Sequence, residues 1–205
     1  MPTTDLTAVR RLGILGGTFD PIHYGHLAIA EEAWERCHLD MVLFMPAGDP
    51  PHKPDELASA EQRFHMVEMA IADNPHFCLS RLELDRPGPS YTVDTLRELH
   101  ARYPQTELYF IIGTDAAQEF FSWRDPQGIL ACARIIAAAR PGIAETVLSA
   151  AREAGMLVLH TPGVAVSSTE IRTRANRGWS LRYLTPPSVI DFLHNEGLYR
   201  NCEIV

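Results

Sequence analysis

Two histidines three residues apart, His23 and His26, follow paired glycines in the segment Gly16-Gly17-Thr18-Phe19-Asp20-Pro21-Ile22-His23-Tyr24-Gly25-His26-Leu27. Glycines after an apolar run let a backbone approach a ligand closely. A helix starting just beyond them offers unpaired N–H groups and the positive end of its dipole, which suits a phosphate. Residues three apart at a helix start face the same way. Both imidazoles can therefore donate hydrogen bonds to phosphate oxygens, with Gly25 leaving room for a bulky ligand. The pattern is not the dinucleotide fingerprint, because Gly13, Gly16 and Gly17 do not form G-x-G-x-x-G. A zinc pair would need further ligands, and no H-E-x-x-H or cysteine partner accompanies it. The plainer alternative is a pair of capping histidines. On a strand–Gly-Gly–helix junction, phosphate binding is the better reading.

Other segments carry chemistry of the same kind. Pro50-Pro51-His52-Lys53 sets a histidine beside the only lysine of the chain. Ser167-Ser168-Thr169-Glu170-Ile171-Arg172 reads as a capping box, Ser167 with Glu170, and a capped helix start still offers other N–H groups. Gly113-Thr114-Asp115 ends an apolar run and precedes Phe120, Phe121 and Trp123, of which one or both phenylalanines suit a core. Ser90 with Asp94 reads as simple capping and Tyr91 as core. Arg63 reads as a surface arginine as readily as anything else, and Arg174, Arg177 and Arg182 as a solvated face.

These residues need elements to position them. Short apolar runs at 12–15, 41–45, 108–112, 134–138 and 156–160 alternate with helical patterns at 24–37, 59–72, 91–103 and 143–154. Ser59 caps the second helix with Gln62 as its partner, residues 77–84 are extended, and 168–176 and 188–194 form two last helices. Such alternation predicts βαβ units and a mainly parallel sheet with helices on both faces, closed by a small helical C-terminal part. Ligands of such sheets sit beyond the carboxyl ends of the strands. Gly16-Gly17, Pro46-Ala47-Gly48 and Gly113-Thr114-Asp115 each follow a strand, which predicts one shared site. Residues 47–57, rich in proline, read as an ordered, exposed turn region.

The chain has 205 residues, the size of a single domain spanning 1–205 with 1–10 as a flexible N-terminal extension. Its formal net charge is −8, a poor match to nucleic acid or anionic membrane. Seventeen of the basic residues are arginine and one is lysine, Lys53, which follows His52 rather than glycine, so there is no P-loop. Cys37, Cys78, Cys132 and Cys202 form no C-x-x-C pair, which points to a reducing cytoplasm. No apolar run approaches a membrane span.

The string GGTFDPIHYGHL resembles the signature of the HxGH nucleotidyltransferases, and in this full form that of the bacterial nicotinate-nucleotide adenylyltransferases. The resemblance runs from Leu12 to about Leu193 with the motifs in family order. It implies a Rossmann-like, doubly wound fold and adenylyl transfer from ATP to nicotinate mononucleotide. It implies that His23, His26, Lys53 and Arg172 carry catalysis. Gly16, Gly17, Thr18, Phe19, Gly25, Gly113, Asp115, Ser168 and Thr169 would join His23, His26 and Arg172 in binding ATP. Asp20, His52, Lys53, Thr92 and Trp123 would bind the mononucleotide, Thr92 and nearby backbone meeting the pyridine carboxylate and Trp123 stacking on the ring. Arg124 follows Trp123, where several relatives have another aromatic or polar residue. Mg²⁺ would enter with ATP, with no protein metal site of its own, and the protein would be a monomer or homo-oligomer. Nicotinamide mononucleotide or another phosphate acceptor, or a non-catalytic nucleotide sensor on the same fold, are the competing readings.

Overall fold

The computed structural model describes residues 6–50 and 58–200. Its strands are β1 (Arg11–Gly17), β2 (Met41–Pro46), β3 (Phe77–Leu79), β4 (Glu107–Gly113), β5 (Arg134–Ala139) and β6 (Leu157–His160). They form one sheet of order β3-β2-β1-β4-β5-β6, every neighbouring pair parallel. The order reverses between β1 and β4, the switch point at which doubly wound sheets bind nucleotides.

Successive side chains of a strand point to opposite faces, and both faces are buried here. Leu15, Val42, Phe44, Tyr109, Ile111, Ile136 and Ala138 join one core. Leu12, Ile14, Leu43, Met45, Phe110, Ile112, Ile135 and Ala137 join the other. This is why the strands read as unbroken apolar runs. The first core is covered by α1 (Tyr24–Arg36), α2 (Ala60–Ile71), α7 (Ser168–Asn176) and α8 (Pro187–Asn195). The second is covered by α3 (Thr92–Arg102), α4 (Thr114–Glu119), α5 (Pro126–Cys132) and α6 (Glu145–Glu153). Among the described residues, no helix is long and apolar enough to cross a membrane.

Three local expectations change. Residues 6–10 are not a flexible extension: Leu6 is buried in the second core, the Arg10 carbonyl accepts from Glu107 N–H at 2.7 Å, and Asp40 accepts from the Arg10 and Arg11 amides. Residues 77–84 are a three-residue strand followed by turns. Ser90 does not cap α3, whose N-cap is Tyr91. Its Oγ accepts instead from the Gly48 and Asp49 amides at 3.1 and 3.2 Å, because Gly48 lies so close to the Glu83 backbone that a Cβ would stand 2.2 Å from the Glu83 carbonyl oxygen. Ser59 and Gln62 form the full capping box expected of them. Ser167 caps α7 through the Glu170 amide, but the Glu170 carboxylate pairs with Arg174 instead of reaching back.

Candidate active site

The carboxyl ends of β2, β1 and β4 lie side by side, with Gly17 paired to Pro46 across the β1–β2 ladder. The three glycine-bearing loops therefore meet, as expected. Gly17 ends β1, and a Cβ there would touch the Phe19 ring at 3.2 Å. That ring is buried in the first core, so what Phe19 offers a ligand is its backbone. A Cβ on Gly113 would meet nothing within 4 Å, so packing does not demand glycine there, and the space above that strand end is open.

His23 is the N-cap of α1 and His26 the third residue of that helix. Their rings stack at 3.7 Å and 18°. His26 Nδ1 accepts from the His23 N–H at 3.3 Å, which puts the proton of a neutral His26 on Nε2. Gly25 has a reason other than the expected room for a ligand: a Cβ there would come within 3.0 Å of the His23 ring and 3.4 Å of Val166. Glycine lets the two imidazoles fold onto each other.

The loop leading to His23 is held by residues far away in sequence. Arg63 donates to the Thr18 carbonyl at 2.9 Å and the Ala47 carbonyl at 2.7 Å, with longer bonds to Gly48 and Ala58. It is 0% exposed, so the reading of Arg63 as a surface residue is corrected. Arg172 donates to the Asp20 carbonyl at 2.8 Å, Ser168 to the Pro21 carbonyl at 2.9 Å, and Thr185 to the Ile22 carbonyl at 2.7 Å. The Tyr24 amide donates to the Leu184 carbonyl at 3.0 Å. Asp20, expected to bind mononucleotide, has its carboxylate buried with Tyr199 OH at 2.5 Å. Arg172 also donates to Thr169 Oγ1 at 3.3 Å. The start of α7 and the start of α1 thus stand together at the end of β1, with Arg172 between them.

A second group lies across the switch point. Trp123 is half-buried, its ring edge-on to Phe110 at 6.3 Å and tilted to Phe120 at 5.6 Å. Phe120 is core and Phe121 is 54% exposed, so one phenylalanine of the two fits the core reading. Arg124 lies 4.4 Å over the Tyr91 ring and 3.5 Å from Asp94. These contacts bring the Trp123 segment to the start of α3, where Thr92 is the first helical residue. Asp115 is exposed on α4 beyond β4. His52 and Lys53, with the rest of 51–57, lie outside the described residues. Among the described residues, no group of three or more His, Cys, Asp or Glu could hold a metal ion. A cavity of about 720 Å³ opens elsewhere, beside the edge strand β3 between α2 and α3. Its lining includes neither the glycine loops nor His23 and His26, and its arginines are already paired with Glu61, Asp85 and Glu98.

Comparison with known proteins sharpens this picture. Residues 14–174 match the cytidylyltransferase-like family. The chain is 47% identical over 199 residues to a probable nicotinate-nucleotide adenylyltransferase of Desulfitobacterium hafniense, covering 93% of this chain and 96% of that one. The chain belongs to the nicotinate-nucleotide adenylyltransferase family. A Thermus thermophilus relative of the same name is 48% identical over 192 residues, 93% of this chain and all of that one. The fold matches Plasmodium falciparum nicotinic acid mononucleotide adenylyltransferase complexed with NaAD, with a TM-score of 0.77 at 20% identity, covering 93% and 97% of the two chains.

Three residues around this candidate site were given no role in it by the sequence: Arg63, Arg140 and Tyr199. Arg140 directly follows β5 and is exposed at the carboxyl end of the sheet. Its position as the first polar residue after an apolar strand was a usable signal. Burial, with the Arg140 charge second, pushes the His23 pKa down to about 4. His23 is therefore neutral at pH 7 and adds no positive charge to the strand ends. Its Nδ1 is buried with no hydrogen-bond partner among the described residues.

That depressed value has a measurable consequence. Between about 4 and the ordinary histidine value of 6.5, the unfolded chain binds the proton and the folded one does not. The His23 contribution to stability is complete above the upper value and is lost as pH falls toward the lower. Urea unfolding at pH 7 and pH 5 checks it: the native protein is expected to lose about 2 kcal/mol more between them than His23→Gln. Equal losses would show that the ring titrates normally.

Proposed function

We propose that the chain transfers the adenylyl group of ATP to nicotinate mononucleotide, forming deamido-NAD and releasing pyrophosphate. The observation that carries this reading is the meeting of the α1 and α7 starts at the end of β1, with His23, His26 and Arg172 gathered there. Two helix N-termini and a guanidinium around a glycine loop make a triphosphate cradle. The Trp123 face and the first turn of α3 would hold the pyridine ring and its carboxylate, Thr92 and the helix amides supplying donors.

A phosphate oxygen of the mononucleotide attacks the α-phosphorus in line, and the bond to the bridging oxygen breaks as pyrophosphate leaves. No covalent enzyme intermediate is required. The protein contributes positioning and charge neutralisation. The His26 ring and the Gly25 amide would meet oxygens of the transferring group. Arg172, Arg140 and, from the loop after Pro50, His52 and Lys53 balance charge at the flanks. A divalent ion such as Mg²⁺, entering with ATP, would supply further positive charge at the phosphates. The ATP requirement and the free thiols of Cys37, Cys78 and Cys132 fit a cytoplasmic enzyme.

The test is pyrophosphate release with ATP, Mg²⁺ and each pyridine mononucleotide. Release with the nicotinate form in preference to the nicotinamide form is expected. Preference for the amide would move the substrate assignment, and no release with either would favour a nucleotide sensor.

A further inference from the structure

The N-cap of α3, Tyr91, makes no side-chain cap bond. Serine is among the best capping residues, yet Ser90, one position earlier, is turned to another task. Its Oγ accepts from the Gly48 amide at 3.1 Å and the Asp49 amide at 3.2 Å. Its own amide donates to the Asp49 carbonyl at 2.8 Å. These bonds pin the segment that leaves β2 to the residue before α3. The body of the helix has separate fasteners. Thr95 Oγ1 donates to the buried Glu83 carboxylate at 2.6 Å, and Arg86 donates to Thr95 at 2.9 Å and to Glu98 at 2.5 Å. Burial raises the Glu83 pKa, while the Thr95 hydroxyl, the Arg86 charge and the Ser90 hydroxyl pull it back. The residues after β2, the turn at 83–86 and the first half of α3 are thus one hydrogen-bonded unit, with Ser90 at its joint.

We propose that Ser90 is a positioning residue of the mononucleotide end, whose hydroxyl clasps the Gly48 and Asp49 amides and so fixes the first turn of α3, with Thr92, against the carboxyl end of β2. The inference rests on the reading above that this turn and Trp123 receive the pyridine ring and its carboxylate. Groups that bind a ligand must be held within about 0.5 Å of their productive geometry. Without the hydroxyl, two amides lose their acceptor and one backbone bond is left at the joint. The helix persists, because Glu83 and Arg86 still hold its body. The segment after β2 stays on the sheet, because Arg63 still grips the Ala47 and Gly48 carbonyls. What loosens is the link between them. The ATP end keeps Ser168 on Pro21 and Thr185 on Ile22.

The experiment is steady-state pyrophosphate release by the intact protein with ATP, Mg²⁺ and nicotinate mononucleotide, alongside calorimetric titration with ATP and thermal unfolding. Ser90→Ala is expected to raise the KM for the mononucleotide about tenfold, with kcat and ATP affinity held within about twofold. Ser90→Thr keeps the hydroxyl and is expected to restore most of the KM. An unchanged KM in a folded Ser90→Ala protein overturns the proposal. So does a loss shared equally by ATP affinity, or a Ser90→Ala protein that fails to fold, since the clasp would then serve the whole fold. A folded Ser90→Thr protein with no recovery overturns it too. Trp123→Ala separates the two levels. If it leaves the KM unchanged, or if the native protein releases no pyrophosphate, the mononucleotide reading falls and this inference with it. If it raises the KM while Ser90→Ala does not, only the positioning role falls.

Discussion

His26→Ala is expected to lower turnover by on the order of 10²–10³ while the protein stays folded. The ring is half-buried at the third position of α1, stacked on His23 at 3.7 Å and edge-on to Phe19 at 5.0 Å. Its Nδ1 takes the His23 amide, so a neutral ring carries its proton on Nε2, the atom proposed to meet an oxygen that gains charge in the transition state. Alanine is the best helix former for that position. The structural cost is one long hydrogen bond and a ring contact, about 1 kcal/mol. The loss should fall on kcat more than on KM for ATP, because the contact strengthens as the reaction proceeds. Steady-state pyrophosphate release together with a urea melt measures both. Near-normal turnover by a folded variant would remove His26 from the chemistry.

Arg63→Ala acts in the opposite order, through stability first. Its guanidinium serves four carbonyls, those of Thr18, Ala47, Gly48 and Ala58, from a position with no solvent exposure. Truncation leaves these acceptors short of donors and opens a cavity, for a loss of about 3–5 kcal/mol. Domains of this size carry about 5–15 kcal/mol in total, so the variant is expected to melt near the edge of physiological temperature. Arg63→Lys keeps the charge but not the planar fork, and can satisfy only part of the set. An intermediate loss is expected from it. Denaturant unfolding of the three proteins checks the ranking, and a change within about 0.5 kcal/mol for alanine would return Arg63 to the surface class.

What the sequence shows and what it hides follow one physical rule. The two segments of the proposed phosphate end, Gly16–His26 and Ser167–Arg172, were legible as strand-end and helix-start segments, because their glycines and capping residues are contiguous at the starts of periodic helices. The apolar runs gave every strand except the exact extent of β3. Helices α4 and α5 were missed, since six and seven residues show no period, although Asp125 before Pro126, whose side chain accepts from the Gly128 amide, was a usable start signal for α5. Trp123 and Thr92 stand 31 positions apart, and only the fold, through Arg124 over Tyr91, brings them together. Arg63 is the instructive miss. It sits three and four residues before Met66 and Val67, on the buried stripe of α2, and an arginine on such a stripe is a signal of buried carbonyls rather than of solvent. Tyr199 gave no local signal, because its partner is 179 residues away.

The long reach of these fasteners has a consequence for how the protein is made. All six strands have been synthesised once His160 emerges, and each pairs with neighbours already present or soon to follow. The donors that grip the loop before His23 arrive later, at Ser168, Arg172, Thr185 and Tyr199. The turn that carries the histidines therefore gains these clamps only once residues 168–199 have been made, and contacts of such sequence separation are expected to form late. A chain cut short after the last strand would lack Ser168, Arg172, Thr185 and Tyr199 at this turn, as well as the α7 and α8 side chains of the first core.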